Sequence, residues 1–204
     1  NLRAFAQEEA GVENAFDFAG MGARNGVTAA LMVQTGFTGV WDVLEGEHNV
    51  LNALSPSPQP REMLAGLGSR FFVTETAIKP YPVGYPIQPA LDAFFTLHRQ
   101  HGLTVENVDR ITVRLPQDGA GIVNDRSMPD INCQHMIAMA LVDGDVTFAS
   151  THSYQRMSDP AVLAVKDRVN LVADPDLMDP EAPRSARVAV VLKDGTTVEQ
   201  FTPY

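Results

Sequence analysis

The stretch "VDRITVRLP" sets Ile111, Val113 and Leu115 on one face and Thr112 and Arg114 on the other, the period-two alternation of a half-buried strand. Ahead of it, "QPALDAFFTLHRQHG" has helical spacing, with Pro89 suited to a first turn and Gly102 to a C-terminal stop. Before that helix, "RFFVTETAIK" is apolar and β-branched and reads as a strand. Strand, helix and strand are thus predicted in succession. Downstream, "NCQHMIAMALVDG" reads as a second helix ending at Asp143-Gly144, and "SDPAVLAVKDRV" as a third, with Asp159 as N-cap and Pro160 in its first turn. The chain closes with "RVAVVLKDGTTVEQF", two strands about the hairpin signal Asp194-Gly195.

The first third has a different texture. "GARNGVTAALMVQTGF" spaces Val27, Ala30, Leu31 and Gln34 as a helix face and stops at Gly36, which predicts a buried, close-packed helix. "TGVWDVLEGEHNVLNAL" follows as two short helical turns broken at Gly46, with Val40, Trp41, Val43 and Leu44 as candidate core residues. The proline-rich "SPSPQPRE" is a joint. The pattern therefore divides the chain into a helical segment over residues 1–60 and an α+β unit over 61–204, with no internal repeat and no low-complexity tract.

Composition narrows what such a chain can do. At 204 residues with 45% hydrophobic and 20% charged positions it has the make-up of a soluble globular protein, long enough to hide roughly 70% of its unfolded surface. A formal charge of −10 with no basic run argues against nucleic acid or an anionic membrane as partner, though a few local cations could hold a small acidic substrate. A single cysteine, Cys133, allows no internal disulfide and no cysteine-based zinc site, so a reducing cytoplasm is the default compartment. No apolar run approaches the roughly 18 residues of a membrane helix. The first residue is Asn1 without a signal-peptide pattern, and a trimmed or partial chain is expected.

Candidate chemistry is sparse. "GMGARNG" from Gly20 to Gly26 hints at a dinucleotide loop, but "VENAFDFA" before it is a poor strand and no acidic residue follows at the right distance, so helix packing is the better reading. Among His48, His98, His101, His135 and His152 no pair has metal-ligand spacing, and no metal site is expected. His98 and His101 sit where a helix end favours histidine. His135 opens an apolar helix directly after "NDRSMPDINCQ", where it is either an acid/base group or a satisfied surface histidine. Cys133 reads as a structural thiol, and no G-x-S-x-G elbow supports acyl-enzyme chemistry. Lys79 precedes Pro80, which holds it extended; it either caps a strand edge or is a long cation aimed into a cleft.

Taken in order, "AGMGARNGVTAALMVQTGFTGVWDVLEG", "IKPYPVGYPIQPALDAF", "VDRITVRLP", "CQHMIAMALVDGDVTFAS" and "DPAVLAVKDRV" resemble the MmgE/PrpD family over nearly the whole chain. That family includes 2-methylcitrate dehydratase, cis-aconitate decarboxylase and iminodisuccinate epimerase. The resemblance implies an α+β arrangement in which residues 1–60 are the last helices of an all-α domain and 61–204 a small lid over a cofactor-free site. The family's N-terminal helical half, which normally brings an acid/base histidine and an aspartate, has no counterpart here. Lys79 matches the lysine of the K-P-Y-P block and is the implied catalytic and carboxylate-binding cation, with Tyr81, Tyr85 and Gln134 as further substrate contacts. His135 takes the place of a tyrosine and is the second implied catalytic residue. Relatives carry a lysine where this chain has Ala15 or its neighbours, and a histidine or cysteine where it has Val83 and Gly84.

The activity so implied is a cofactor-independent hydro-lyase acting on a small polycarboxylate such as a 2-methylcitrate-like acid. Epimerase or decarboxylase activity of the same family is the alternative, as is a non-catalytic half that assembles with a separate helical chain. Expected partners are the carboxylate substrate and either a second copy, as a homodimer, or an N-terminal helical half, with neither nucleic acid nor membrane.

Overall fold

A computed structural model describes residues 20–203. These fall into two compact units, residues 20–78 and 79–203, and the fold class is α+β. The poor strand "VENAFDFA" and the Ala15 position lie outside the described residues.

The first unit contains α1 (Met21–Gln34) and α2 (Val50–Leu54). Helix α1 runs through the "GMGARNG" glycines and ends before Gly36, whose φ of 96° suits only glycine without strain. No residue of α1 is buried, with Val27 and Leu31 62% and 56% exposed. Added Cβ atoms at Gly22 and Gly26 would meet nothing within 4 Å. The expectation of a close-packed buried helix is therefore corrected: its spacing is helical, but burial needs a covering surface that this unit does not supply. Val40, Trp41, Val43 and Leu44 are likewise exposed rather than core, and of the two expected turns only α2 forms, capped by the Asn49 side chain on the N–H groups of Leu51 and Asn52.

"RFFVTETAIK" is not a strand. Phe72–Glu75 forms a 3₁₀ turn, in which Thr74 and Thr76 donate side-chain hydrogen bonds to the carbonyls of Phe71 and Phe72. Arg70 closes over the turn through two 2.7 Å bonds to Glu75. β-Branched residues stabilise strands only where a neighbouring strand accepts the ladder, and here local side-chain bonds outcompete it.

The second unit carries the sheet. After a 3₁₀ turn at Tyr85–Ile87 come α3 (Gln88–His101), β1 (Val108–Pro116), α4 (Gln117–Val123), α5 (Cys133–Asp143), α6 (Phe148–Thr151), α7 (Pro160–Lys166), β2 (Val169–Asp174), β3 (Ala186–Leu192) and β4 (Thr197–Thr202). Among the described residues the sheet has four strands in the order β2-β1-β3-β4. The β1–β2 pair is parallel, which requires a long crossover, and α4 to α7 provide it. β3 is antiparallel to β1 and to β4.

Register puts one apolar set on one face: Ile111 and Val113 lie opposite Val190 and Val188, and both pairs are fully buried. Helix α3 packs against β3 and β4, and α5 against α7, α3 and β2. Phe94, Leu91, Ile87, Met136 and Ile137 fill the space between, each 0% exposed, with about 2 kcal/mol of transfer free energy per large side chain. The opposite face carries polar groups, where Arg114 bonds Asp174 and Arg187 bonds Glu199. Helices α3 and α5 end on left-handed Gly102 (φ 58°) and Gly144 (φ 74°), as their sequences predict.

Candidate functional site

The Lys79–Gln88 segment is held by a residue that the sequence reading passed over. Gln88, 1% exposed, accepts from the Tyr81 N–H at 3.1 Å and donates Nε2 to the carbonyls of Tyr81 (2.8 Å) and Val83 (3.1 Å). One amide thus folds the K-P-Y-P turn back onto the start of α3. A glutamine between Ile87 and Pro89, in an otherwise apolar stretch, was the available signal. Lys79 is exposed, and among the described residues its Nζ donates to the Val83 carbonyl alone, at 3.3 Å. Tyr81 stacks on Phe95 with centroids 5.6 Å apart, and burial, aided by Asp92, pushes its hydroxyl above the usual tyrosine value, so it stays protonated. The Arg184 guanidinium lies 5.8 Å from the Tyr85 ring centre.

Val83 points into the core at 3% exposure. Gly84 donates its N–H to the Asp130 carbonyl at 2.8 Å. A Cβ there would stand 3.2 Å from Ile131 Cγ2 and 3.5 Å from that carbonyl, so a side chain fits only if Ile131 gives way. This contact joins the Lys79 segment to the loop before α5.

That loop is tightly wired. Gln134 accepts from the Asp125 N–H at 3.0 Å and donates to Asn124 at 2.6 Å, so both ends of its amide are engaged within the chain. Asn132 caps α5 on the His135 N–H at 2.9 Å and donates to the Arg126 carbonyl at 2.6 Å. Asp125 adopts φ 46°, a strained value for a residue with a Cβ. Its carboxylate pairs with Lys166 at 2.5 Å, and this bond holds its pKa below the usual range. At the far end of α5, Arg156 bridges Asp143 and Asp159 and so ties α5 to α7.

His135 is 0% exposed, which removes the surface reading. Neither ring nitrogen has a hydrogen-bond partner among the described residues. Burial first, then the positive charges of Lys166 and Arg156, push the imidazole down to about 4, so it is neutral at pH 7. Its neighbour Cys133 is also buried, and burial pushes the thiol up to about 12; it is a structural residue. Among the described residues no group of three His, Cys, Asp or Glu side chains could hold a metal. A cavity of about 160 Å³ lined by Pro116, Asp118, Met178, Asp179, Pro180 and Pro183 includes none of Lys79, Tyr81, Tyr85, Gln134 or His135.

The unit therefore assembles an exposed cation on a rigid turn beside a wired loop that carries a buried, neutral imidazole. Residues 81–204 match the MmgE/PrpD C-terminal domain. The chain belongs to the MmgE/PrpD family. It is similar to the cis-aconitate decarboxylase-like protein oryM of Aspergillus oryzae, 25% identical over 199 residues, which cover 87% of this chain and 41% of that protein. It is also similar to the cis-aconitate decarboxylase of Mus musculus, 26% identical over 194 residues, with 87% and 38% covered. The chain thus spans about two-fifths of the length of these relatives. No helix among the described residues is long and apolar enough to cross a membrane.

Proposed function

We propose that the chain is part of an enzyme that removes a proton next to a carboxylate of a small polycarboxylic acid and expels water, a hydro-lyase on 2-methylcitrate-like acids. The observation that carries this is the family match over residues 81–204, beside an exposed lysine on a rigid turn. As the C–H proton leaves, negative charge spreads onto the adjacent carboxylate. The Lys79 ammonium stabilises that charge, and hydroxide departs with a proton as a double bond forms. His135, neutral and with both ring nitrogens unpartnered, would take or position a proton. Tyr81 and Tyr85 flank the lysine and would contact the substrate. Gln134, engaged at both ends, would serve by holding the loop.

A second reading is favoured by the names of the two relatives, both cis-aconitate decarboxylases or like them: loss of CO₂ from an unsaturated tricarboxylate, with Lys79 again facing the carboxylates. The same proposal gives a partner to the first unit, where Trp41, Leu54 and Ile78 are 97%, 80% and 85% exposed. Such apolar surface fits a helical segment of the family's N-terminal kind, or a second copy.

The test is incubation of the protein, alone and with a helical N-terminal segment of a relative, with 2-methylcitrate, citrate and cis-aconitate, followed by proton NMR. Alkene formation from the hydroxy acids supports dehydration, and CO₂ release from cis-aconitate supports decarboxylation. Lys79→Ala should weaken binding of the active acid at least tenfold with the melting temperature unchanged. Retained binding in that variant, with no acid consumed by the parent protein, refutes the proposal.

A further inference from the structure

Beyond the carboxyl ends of the parallel strands β1 and β2 lies the cavity of about 160 Å³, which the reaction proposed above leaves unused. Pro116, the last residue of β1, is one wall and stands in register with Asp174, the last residue of β2. Asp118 adds a second wall from α4, and Met178, Asp179, Pro180 and Pro183 come from the connection between β2 and β3. In open sheets ligands bind in this position, outside the strand ends.

The lining is almost wholly apolar, and it is stiff. Pro180 and Pro183 each fix a φ angle in the connection, and Leu177 anchors it at 8% exposure. Its turns are closed by the Ala182 N–H on the Asp179 carbonyl at 3.1 Å and the Ser185 N–H on the Ala182 carbonyl at 3.3 Å. A preformed wall spares a ligand the cost of ordering it. An apolar cavity of about 150 Å³ takes a molecule the size of benzene, so this one has room for an apolar group of up to about six carbons.

One cation stands at the rim. Arg184 Nη1 donates to Asp118 Oδ2 at 3.2 Å and to the Pro183 carbonyl at 3.1 Å, and both of those residues line the cavity. Its Nε and Nη2 have no hydrogen-bond partner among the described residues. That is the edge that Arg70 presents to the two oxygens of Glu75, the bidentate fit of a guanidinium to a carboxylate. The Arg184 side chain is only 24% exposed and lies against the Tyr85 ring, so its charge is held in place and partly withdrawn from water. The two wall carboxylates already accept from the protein, Asp118 from Arg184 and from the Gly119 N–H at 2.7 Å, and Asp179 from the Glu181 N–H at 2.9 Å.

We propose that this cavity is a binding site for a small carboxylic acid with an apolar tail, the tail seated among Pro116, Met178, Pro180 and Pro183 and the carboxylate on the Nε and Nη2 edge of Arg184. The site adjoins the Tyr85–Ile87 turn. Tyr85 lies against Arg184, and Gly119, next to the Asp118 wall, approaches Pro86 so closely that a Cβ would stand 3.3 Å away.

The test is a ligand series on the full chain, with pentanoate, acetate, pentanamide and pentylammonium as probes, read by NMR at the Met178 methyl and the Gly119 amide. Pentanoate should shift both signals to saturation. Each buried methylene raises affinity about fourfold, so acetate, three methylenes shorter, should bind roughly 50-fold more weakly. Pentanamide keeps the tail without the charge and should bind at least about tenfold more weakly than pentanoate, and pentylammonium no better than the amide. Arg184→Gln should abolish the preference for pentanoate over pentanamide while the affinity for the amide is unchanged, a pattern that a misfolded variant would not give. Pentanoate that moves neither signal, an amide or ammonium that binds as tightly as pentanoate, or an Arg184→Gln protein that keeps the preference overturns the proposal. None of these readouts depends on turnover, so the site stands or falls apart from the reaction proposed above.

Discussion

Burying an imidazole with two unpartnered nitrogens makes stability depend on pH in a way that a single substitution should erase. In the folded chain His135 titrates near 4, against 6.5 for the free group. Its folded-state value is depressed, so between these values the unfolded chain binds a proton that the folded chain refuses. Stability is therefore complete above about pH 6.5 and falls as the pH drops toward 4. The difference of 2.5 units sets a ceiling of about 3 kcal/mol, and the part lost between pH 7.5 and 4.5 is about 2.5 kcal/mol. His135→Leu replaces the ring with an apolar side chain of similar size and deletes this dependence. At pH 7.5 it should change stability by less than about 1.5 kcal/mol, because no hydrogen bond is lost.

The assay is urea unfolding of both proteins at pH 7.5 and 4.5. Carboxylates elsewhere titrate in both, so the double difference isolates His135. With slopes of about 1–3 kcal/mol per molar urea, the parent midpoint should fall by roughly 1 M more than that of the variant. Parallel pH dependence in the two proteins refutes the reasoning, because it would mean that the ring is protonated in the fold or open to water.

Phe94→Ala, at a fully buried site between α3 and the sheet, should cost about 3–5 kcal/mol in chemical unfolding. Gly84→Val should lower the melting temperature and loosen the Lys79 turn, since its Cβ begins 3.2 Å from Ile131; a loss above about 1 kcal/mol is expected, and an unchanged melting curve would count against the close approach. Cys133, buried with its thiol pushed up to about 12, should resist iodoacetamide at pH 8 in the folded chain and react fully in urea; rapid labelling of native protein would show that α5 opens.

The second unit was the more legible of the two. Helix α3, strand β1, helix α5 and the β3–β4 hairpin follow from periodicity with punctuation at Pro89, Gly102, Gly144 and Gly195, because each of these is a local requirement that a few residues satisfy by themselves. Strand β2 went unread. "VNLVAD" is only six residues long at a sheet edge, and it becomes a strand because β1 offers it a parallel ladder more than fifty residues away in sequence. "RFFVTETAIK" failed in the opposite sense: it has strand composition but no neighbour to pair with.

Of the candidate site, Lys79 and the stiffness of its turn could be read from "KPYP". The agent of that stiffness, Gln88, could not, since a buried amide looks like any other glutamine until its three bonds are seen. His135 and His152 show the division most sharply. Both are single histidines in mixed surroundings along the chain, and nothing local says which is dry. Order of residues sufficed for helices α3, α5 and α7, strand β1, the β3–β4 hairpin and the family. That His135 is neutral and sealed was decided by how α5 packs against α7, α3 and β2, while His152 stays exposed, because solvent access and charge proximity are properties of tertiary neighbours and have no period in the sequence.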